Sequence, residues 1–154
     1  MLPKINKTNN DSQPTYIKVY PEFDYKLNFD GCSKGNPGLA GAGAVIYHFG
    51  KEIWSDSYFV GEKFTNNHAE YSGLLLGLQQ AKILNIKCIR VEGDSLLVIN
   101  HMKGIYKCRS ENLIDLYIKA KELEKFFDKI EYVHVLRNQN KRADELSNIA
   151  ILPN

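Results

Sequence analysis

The chain's 154 residues, 44% apolar and 25% charged, allow one domain with a packed core and exclude a disordered or fibrous polypeptide. A formal net charge of +2 is too small to hold a polyanion by overall attraction, so a nucleic-acid partner would need positive charge gathered on one face. Three scattered cysteines, Cys32, Cys88 and Cys108, give neither a disulfide framework nor paired zinc spacing, and no apolar run approaches the ~20 residues of a membrane span. With no apolar leader core at the N-terminus, these features predict a soluble, cytoplasmic protein; no membrane contact and no obligate protein partner is evident.

Residues 1–14 are rich in Asn, Lys, Thr, Ser and Pro with little to bury, which predicts a mobile tail ahead of a single domain over 15–154. Residues 15–20 read either as a short strand or as an extended lead-in ended by Pro21. Residues 25–32 alternate, with Tyr25, Leu27 and Phe29 on one face and Lys26, Asn28 and Asp30 on the other. That strand carries Asp30 at its end and runs into the turn Gly35-Asn36-Pro37-Gly38. A second strand over 42–48 has small residues where another backbone passes closely, and a third covers 53–60 after a turn at 49–52. Turns this short predict antiparallel hairpins.

The period changes at Asn67. Ala69, Leu74, Leu78 and Ala81 recur at mostly helical spacing, with Leu75, Leu76 and Ile83 widening the stripe. They predict a helix to about residue 84, capped by Asn66 or Asn67. Gly73 and Gly77 inside it each cost about 1 kcal/mol against Ala, which predicts close approach to the sheet. A fourth strand over 87–93 ends at Asp94, and a short helix follows over 95–102. A longer helix over 111–127 carries Leu113, Leu116, Tyr117, Ala120, Leu123 and Phe127 as its stripe. A fifth strand over 129–136 and a polar loop lead to a last helix over 141–151, with Ala143, Leu146 and Ala150 turned inward. The order β-β-β-α-β-α-α-β-α predicts an α/β fold: a mixed five-stranded sheet flanked by helices, an antiparallel meander extended by two strands reached through helical crossovers.

Four carboxylates stand at comparable junctions. Asp30 and Asp94 end strands that lie side by side if the fourth runs parallel to the first, and Glu70 and Asp144 are expected in the first turns of their helices. Singly, each has an ordinary explanation: a helix dipole for Glu70 and Asp144, a helix cap for Asp94. Jointly they converge over one sheet edge, where they repel unless cations sit among them. Hard oxygen ligands suit Mg²⁺, with Mn²⁺ as substitute. Two such ions ~3.5–4 Å apart are the device for in-line displacement at phosphorus, one activating water and the other stabilising the leaving oxygen. No base partner stands near Cys32 in sequence, so it is not read as a nucleophile.

Asp30-Gly31 with Gly35-Asn36-Pro37-Gly38, Thr65-Asn66-Asn67-His68-Ala69-Glu70, Gly93-Asp94-Ser95 and Ala143-Asp144-Glu145-Leu146-Ser147 resemble ribonuclease HI in order and spacing, over about residues 24–151. The resemblance implies the sheet order 3-2-1-4-5 and endonucleolytic cleavage of the RNA strand of RNA/DNA hybrids, leaving 5′-phosphate and 3′-hydroxyl ends. It implies that Asp30 bridges two metal ions, that Glu70 and Asp94 hold one, and that Asp144 holds the other. It also implies that Asn36, Asn66 and the turn backbone near Cys32 and Ser33 read the 2′-hydroxyls that distinguish RNA from DNA, with Glu70 accepting one such bond.

Three departures separate this chain from the longer bacterial enzymes that it resembles. Leu96 stands where the family often has a glutamine-type residue. The loop before the last carboxylate lacks their histidine and is similar to the shorter branch, with Arg137 in that role and Lys141 and Arg142 behind it. By the same reading, His134 belongs to its strand as a core or surface residue, and His68, two residues before Glu70, is a rim residue. The basic protrusion is also missing; Lys103, Lys107 and Arg109 offer phosphate contacts in its place, beside Tyr106. The other readings are a catalytically weak hybrid- or RNA-binding module of the same fold, or another metal nuclease of the superfamily, an exonuclease or a resolvase.

Overall fold

A computed structural model describes residues 23–153; the expected tail and the segment 15–20 lie outside the described residues. The alternating stretches form β1 (Tyr25–Lys34), β2 (Gly38–His48) and β3 (Lys51–Phe64), joined as antiparallel hairpins. Helix α1 (Asn66–Ile83) then carries the chain across to β4 (Cys88–Gly93), which runs parallel to β1. Helices α2 (Leu96–Met102) and α3 (Ile114–Glu124) lead to β5 (Lys129–His134), parallel to β4, and α4 (Lys141–Ile149) follows. The strand order is β3-β2-β1-β4-β5, as the sequence predicts.

The period-2 pattern of β1 sorts the two faces. Leu27 and Phe29 are fully buried in the main core, with Tyr71, Leu74 and Leu78 of α1, Val98 and Ile99 of α2, and Ala120 of α3. On the opposite face, Val45 of β2 meets Ala143 and Leu146 of α4 in a smaller cluster. Glycines set how closely the helices sit. A Cβ at Gly43 would meet Leu146, Ser147 and Ala143 of α4, one at Gly73 would strike the Asp30 carbonyl oxygen, and one at Gly77 would strike the Leu27 side chain. The predicted close approach of α1 to the sheet is therefore present at both helix glycines.

Several boundaries differ, each for a physical reason. β1 runs four residues past Asp30, because Gly31–Lys34 continue to pair with Leu39–Ala42 across the hairpin. On its other side β1 stops pairing at Phe29, opposite Gly93. Asp30 and Asp94 are thus the first residues past the last parallel pair, which sets them side by side. Thr65, not Asn66 or Asn67, caps α1: its Oγ1 accepts from the His68 N–H at 3.1 Å. Ile83 is exposed at the helix end instead of widening the buried stripe. A 3₁₀ turn, Arg137–Gln139, occupies part of the expected polar loop. Among the described residues no helix is long and apolar enough to cross a membrane.

Gly73 tests the close packing by the sign of one change. In an exposed helix Gly→Ala stabilises by about 1 kcal/mol; here Gly73→Ala is expected to destabilise by ~2–4 kcal/mol, because the methyl meets the Asp30 and Gly43 backbone of the sheet. Urea unfolding of the two proteins measures the difference, and a stabilised variant would show that the helix can move away from the sheet.

Candidate metal centre

Each carboxylate is placed by a local feature of its own element. Asp30 is held in mid-strand opposite Gly43, and the glycine after it makes room for α1: a Cβ at Gly31 would collide with the backbone of Ala69 and Glu70. Glu70 is the fifth residue of α1, just past the expected first turn, so the bare N-terminal dipole does not explain it. Ser95 caps α2 by accepting from the Val98 N–H at 3.2 Å, which leaves Asp94 free of that duty. Asp144 lies in the first turn of α4 as predicted, held by Asn148, whose Nδ2 donates to its backbone oxygen at 2.9 Å and its Oδ1 at 3.4 Å.

Oxygen atoms from Asp30, Glu70 and Asp94 all lie within 4.8 Å of one another. Asp144 faces the same open cavity of about 600 Å³, and its carboxylate acts on both Asp30 and Asp94. Asp30 is 4% exposed and Glu70 9%. Burial, with the negative charge of Asp94 added to it, pushes the Asp30 carboxyl up to about 7. Burial first, then the charge of Asp30, holds Glu70 well above the usual carboxylate range. Asp94 is raised by burial as well, against the opposing charge of Arg137. Glu70 Oε1 is buried with no hydrogen-bond partner among the described residues. A set of converging hard oxygens, one of them without a partner, fits divalent cations.

Beside the acids runs a short relay of side chains and backbone. The Ser33 N–H donates to Asn66 Oδ1 at 2.7 Å, and the Asn66 N–H donates to Asn36 Oδ1 at 2.9 Å. Both amide carbonyls are thereby occupied by protein. The two Nδ2 groups have no partner among the described residues, and both side chains are exposed. Ser33 Oγ donates to the Phe64 carbonyl at 2.6 Å, and the Cys32 thiol turns onto α4, donating to the Ser147 carbonyl at 3.6 Å. Position 32 therefore offers its backbone to the cavity more than its sulfur.

Cys32, Ser33, Asn66 and Arg137 line the acid cavity, and Asn36 joins them through its bond to Asn66. Lys103, Lys107 and Arg109 do not line it; they stand exposed in the segment after α2. Arg142 is committed elsewhere, in a forked pair with Glu52 at 2.9 and 3.1 Å and a bond to Glu145. His68 is half-buried against the Phe64 ring, in a separate groove of about 390 Å³. His134 is exposed but lines the acid cavity beside Arg137, because parallel pairing sets it opposite Gly93, next to Asp94. Only the register of β4 with β5 reveals that placement, and the sequence carries no signal for register between parallel strands.

A family model described as reverse transcriptase-like matches residues 28–150. The bifunctional protein Rv2228c of Mycobacterium tuberculosis is 40% identical over 126 residues, 81% of this chain and 35% of that protein. Its N-terminal RNase H domain, solved as a fusion with maltose binding protein, superposes with a TM-score of 0.80 at 38% identity, covering 82% of this chain and 92% of that one. The ribonuclease HI of Halobacterium salinarum is 36% identical over 123 residues, 80% of this chain and 62% of its own length. LC11-RNase H1, solved in complex with an RNA/DNA hybrid, superposes with a TM-score of 0.77 at 32% identity over 82% of this chain and 96% of that one. The chain belongs to the ribonuclease H family, with the reverse transcriptase-like domain as its matched part. It spans about a third of the length of Rv2228c and under two thirds of the halobacterial enzyme.

The charge crowding has a direct consequence for the metal-free protein. A carboxyl raised from its ordinary value near 4 to about 7 keeps its proton in the folded state while the unfolded chain loses it. Folding stability in chelator should therefore fall as pH rises from about 4 to 7, then level off. Asp30→Asn should be more stable than the parent at pH 7.5 by roughly 1–3 kcal/mol and nearly equal to it at pH 4. Denaturant unfolding in chelator at both values checks this, and a parent more stable than Asp30→Asn at pH 7.5 would contradict it.

Proposed function

We propose that this chain cuts the RNA strand of RNA/DNA hybrids internally, leaving 5′-phosphate and 3′-hydroxyl ends, with two Mg²⁺ ions bound among Asp30, Glu70, Asp94 and Asp144 and Mn²⁺ able to replace them. The observation that carries the reading is the convergence of Asp30, Glu70 and Asp94 within 4.8 Å on the wall of a cavity that Asp144 and Asn66 also line. The family's named ribonucleases, and a relative solved with a hybrid, support the substrate class. Such ions supply an activated water and charge neutralisation at phosphorus. On this reading Asp30 would share both ions, Glu70 and Asp94 would hold one, and Asp144 would hold the other.

The remaining roles belong to side chains around the acids. Asn36 and Asn66 present their Nδ2 donors to the RNA strand, where a 2′-hydroxyl oxygen can accept them. Their carbonyls are already engaged, so the pair is pre-oriented before substrate arrives. Backbone at Cys32 and Ser33 completes that minor-groove contact. Arg137, already acting on Asp94 by charge, holds the scissile phosphate or draws the cleaved one away. An arginine stays protonated at any working pH, so it serves by charge and not as a proton acceptor. Lys103, Lys107 and Arg109 lie outside the cavity and contact phosphates further along the duplex, through an attraction that weakens as salt rises. The three free cysteines support a reducing, cytoplasmic setting.

Two sets of variants test these roles. Asp94→Asn should abolish most cleavage while hybrid binding in chelator is unchanged or stronger, because one like charge is gone; binding lost together with cleavage would mean that Asp94 is structural. Arg137→Ala should lower kcat more than it raises KM, with Arg137→Lys restoring part of the loss, whereas His134→Ala should do little. Turnover numbers on hybrid at saturating Mg²⁺ decide between the two residues. A crippled His134→Ala beside a normal Arg137→Ala would move the role to the histidine.

A further inference from the structure

Behind the acids lies a second polar cluster that the proposed chemistry does not use. Asn28, Glu92 and Asn140 are 4%, 8% and 2% exposed. Asn28 Nδ2 donates both to Glu92 Oε1 at 3.3 Å and to Asn140 Oδ1 at 3.0 Å. Asn140 Nδ2 donates in turn to the Phe29 carbonyl oxygen at 2.9 Å. The charge of Glu92 is balanced by Arg90 Nε at 3.0 Å and Lys26 Nζ at 3.7 Å.

The positions of the three residues follow those of the acids. Asn28 stands two residues before Asp30 on the same face of β1, and Glu92, in β4, stands two residues before Asp94, which follows the strand. Asn140 heads α4 four residues before Asp144, and the Asp144 N–H donates to the Asn140 carbonyl at 3.0 Å. The Phe29 carbonyl that Asn140 holds belongs to the peptide entering Asp30. One buried network thus joins three of the elements that carry the acids, a single structural repeat behind each acid.

Two features set this cluster apart from ordinary packing. Asparagine is among the preferred helix caps, yet at the head of α4 the Asn140 side chain makes no capping bond and reaches across to β1 instead. Asn28 Oδ1 is buried with no partner among the described residues, a penalty that an apolar side chain would avoid. Apolar contacts tolerate sliding of one element past another; hydrogen bonds weaken steeply with distance and angle. The acids repel, so β1, β4 and α4 tend to relax apart at the end where the carboxylates meet.

We propose that Asn28, Glu92 and Asn140 are positioning residues, a network that fixes the relative height of β1, β4 and α4 and so holds Asp30, Asp94 and Asp144 at the separation divalent cations require. This rests on the reading of the acid cluster as a divalent-cation site. The network touches neither substrate nor cation, and acts through where it sets the three ligands.

Asn140→Ser separates this role from plain stability. Serine is itself a preferred cap for α4, so the helix is retained, but its side chain is too short to bridge Asn28 and the Phe29 carbonyl. Mn²⁺ is titrated calorimetrically into the full chain without nucleic acid, alongside melting temperature in chelator and kcat and KM on hybrid. The network predicts that Asn140→Ser binds Mn²⁺ about tenfold more weakly and loses kcat, with KM for hybrid held within about twofold and the melting temperature unchanged or raised. Asn28→Ala should weaken Mn²⁺ binding in the same direction. Leu123→Ala, which removes core packing on α3 away from the network, should lower the melting temperature without changing Mn²⁺ affinity. An Asn140→Ser protein that binds Mn²⁺ as tightly as the parent, or a Leu123→Ala protein that weakens as much as the network variants, would overturn the proposal. A parent that binds Mn²⁺ but leaves hybrid intact would sink the nuclease reading alone, and the Mn²⁺ isotherms would still decide the network.

Discussion

Mutual repulsion among buried carboxylates is the constraint on which the rest of this molecule depends. Asp30, Glu70 and Asp94 bring oxygens within 4.8 Å of one another in a site where burial already disfavours charge. A chain selected only for stability would place an apolar residue at Asp30, deep in a central strand with Leu27 and Phe29 just before it. Three groups are pushed toward the protonated state, and Glu70 Oε1 has no hydrogen-bond partner among the described residues. The fold must supply a frame stiff enough to hold such groups together.

The mixed sheet supplies it through a difference in pairing length. On one edge β1 pairs with β2 as far as Lys34, while on the other its parallel pairing with β4 ends at Phe29. The gap that opens past that point is where Asp30 and Asp94 emerge side by side. Small residues then admit the helices: Gly31 lets the Glu70 turn of α1 approach, and Gly43 lets α4 lie close with Asp144. Four elements distant in sequence deliver one acid each, by backbone placement before any side-chain choice is made.

Much of this was legible in the sequence, because each element has a clear period. Alternation in β1 and the helical stripes of α1 and α3 follow from burial of one face, and the short turns dictate the meander. The four acids and their neighbours could be ranked only jointly, since Asp94 or Asp144 alone reads as a cap or dipole residue; the family resemblance gave them their roles. The misses have two causes. Thr65 caps α1 through a local bond that Asn66 and Asn67 compete for in the sequence, whereas the extension of β1 to Lys34 and His134 on the cavity wall depend on which strand pairs with which and in what register. Register between parallel strands leaves no local mark. Nor does the link from Asn140 to Phe29, whose partners are 111 residues apart in sequence.

The central claim is that these acids bind divalent ions in order to cut RNA paired with DNA, and one assay addresses it most directly. The chain is incubated with end-labelled RNA/DNA hybrid, RNA duplex and DNA duplex of one sequence, each with Mg²⁺ or with chelator, and the products are resolved by length and end group. The account predicts internal cuts in the RNA strand of the hybrid, with 5′-phosphate ends, in Mg²⁺ and none in chelator. Cleavage of the DNA duplex with the hybrid left whole, or hybrid cleavage that persists in chelator, would contradict it.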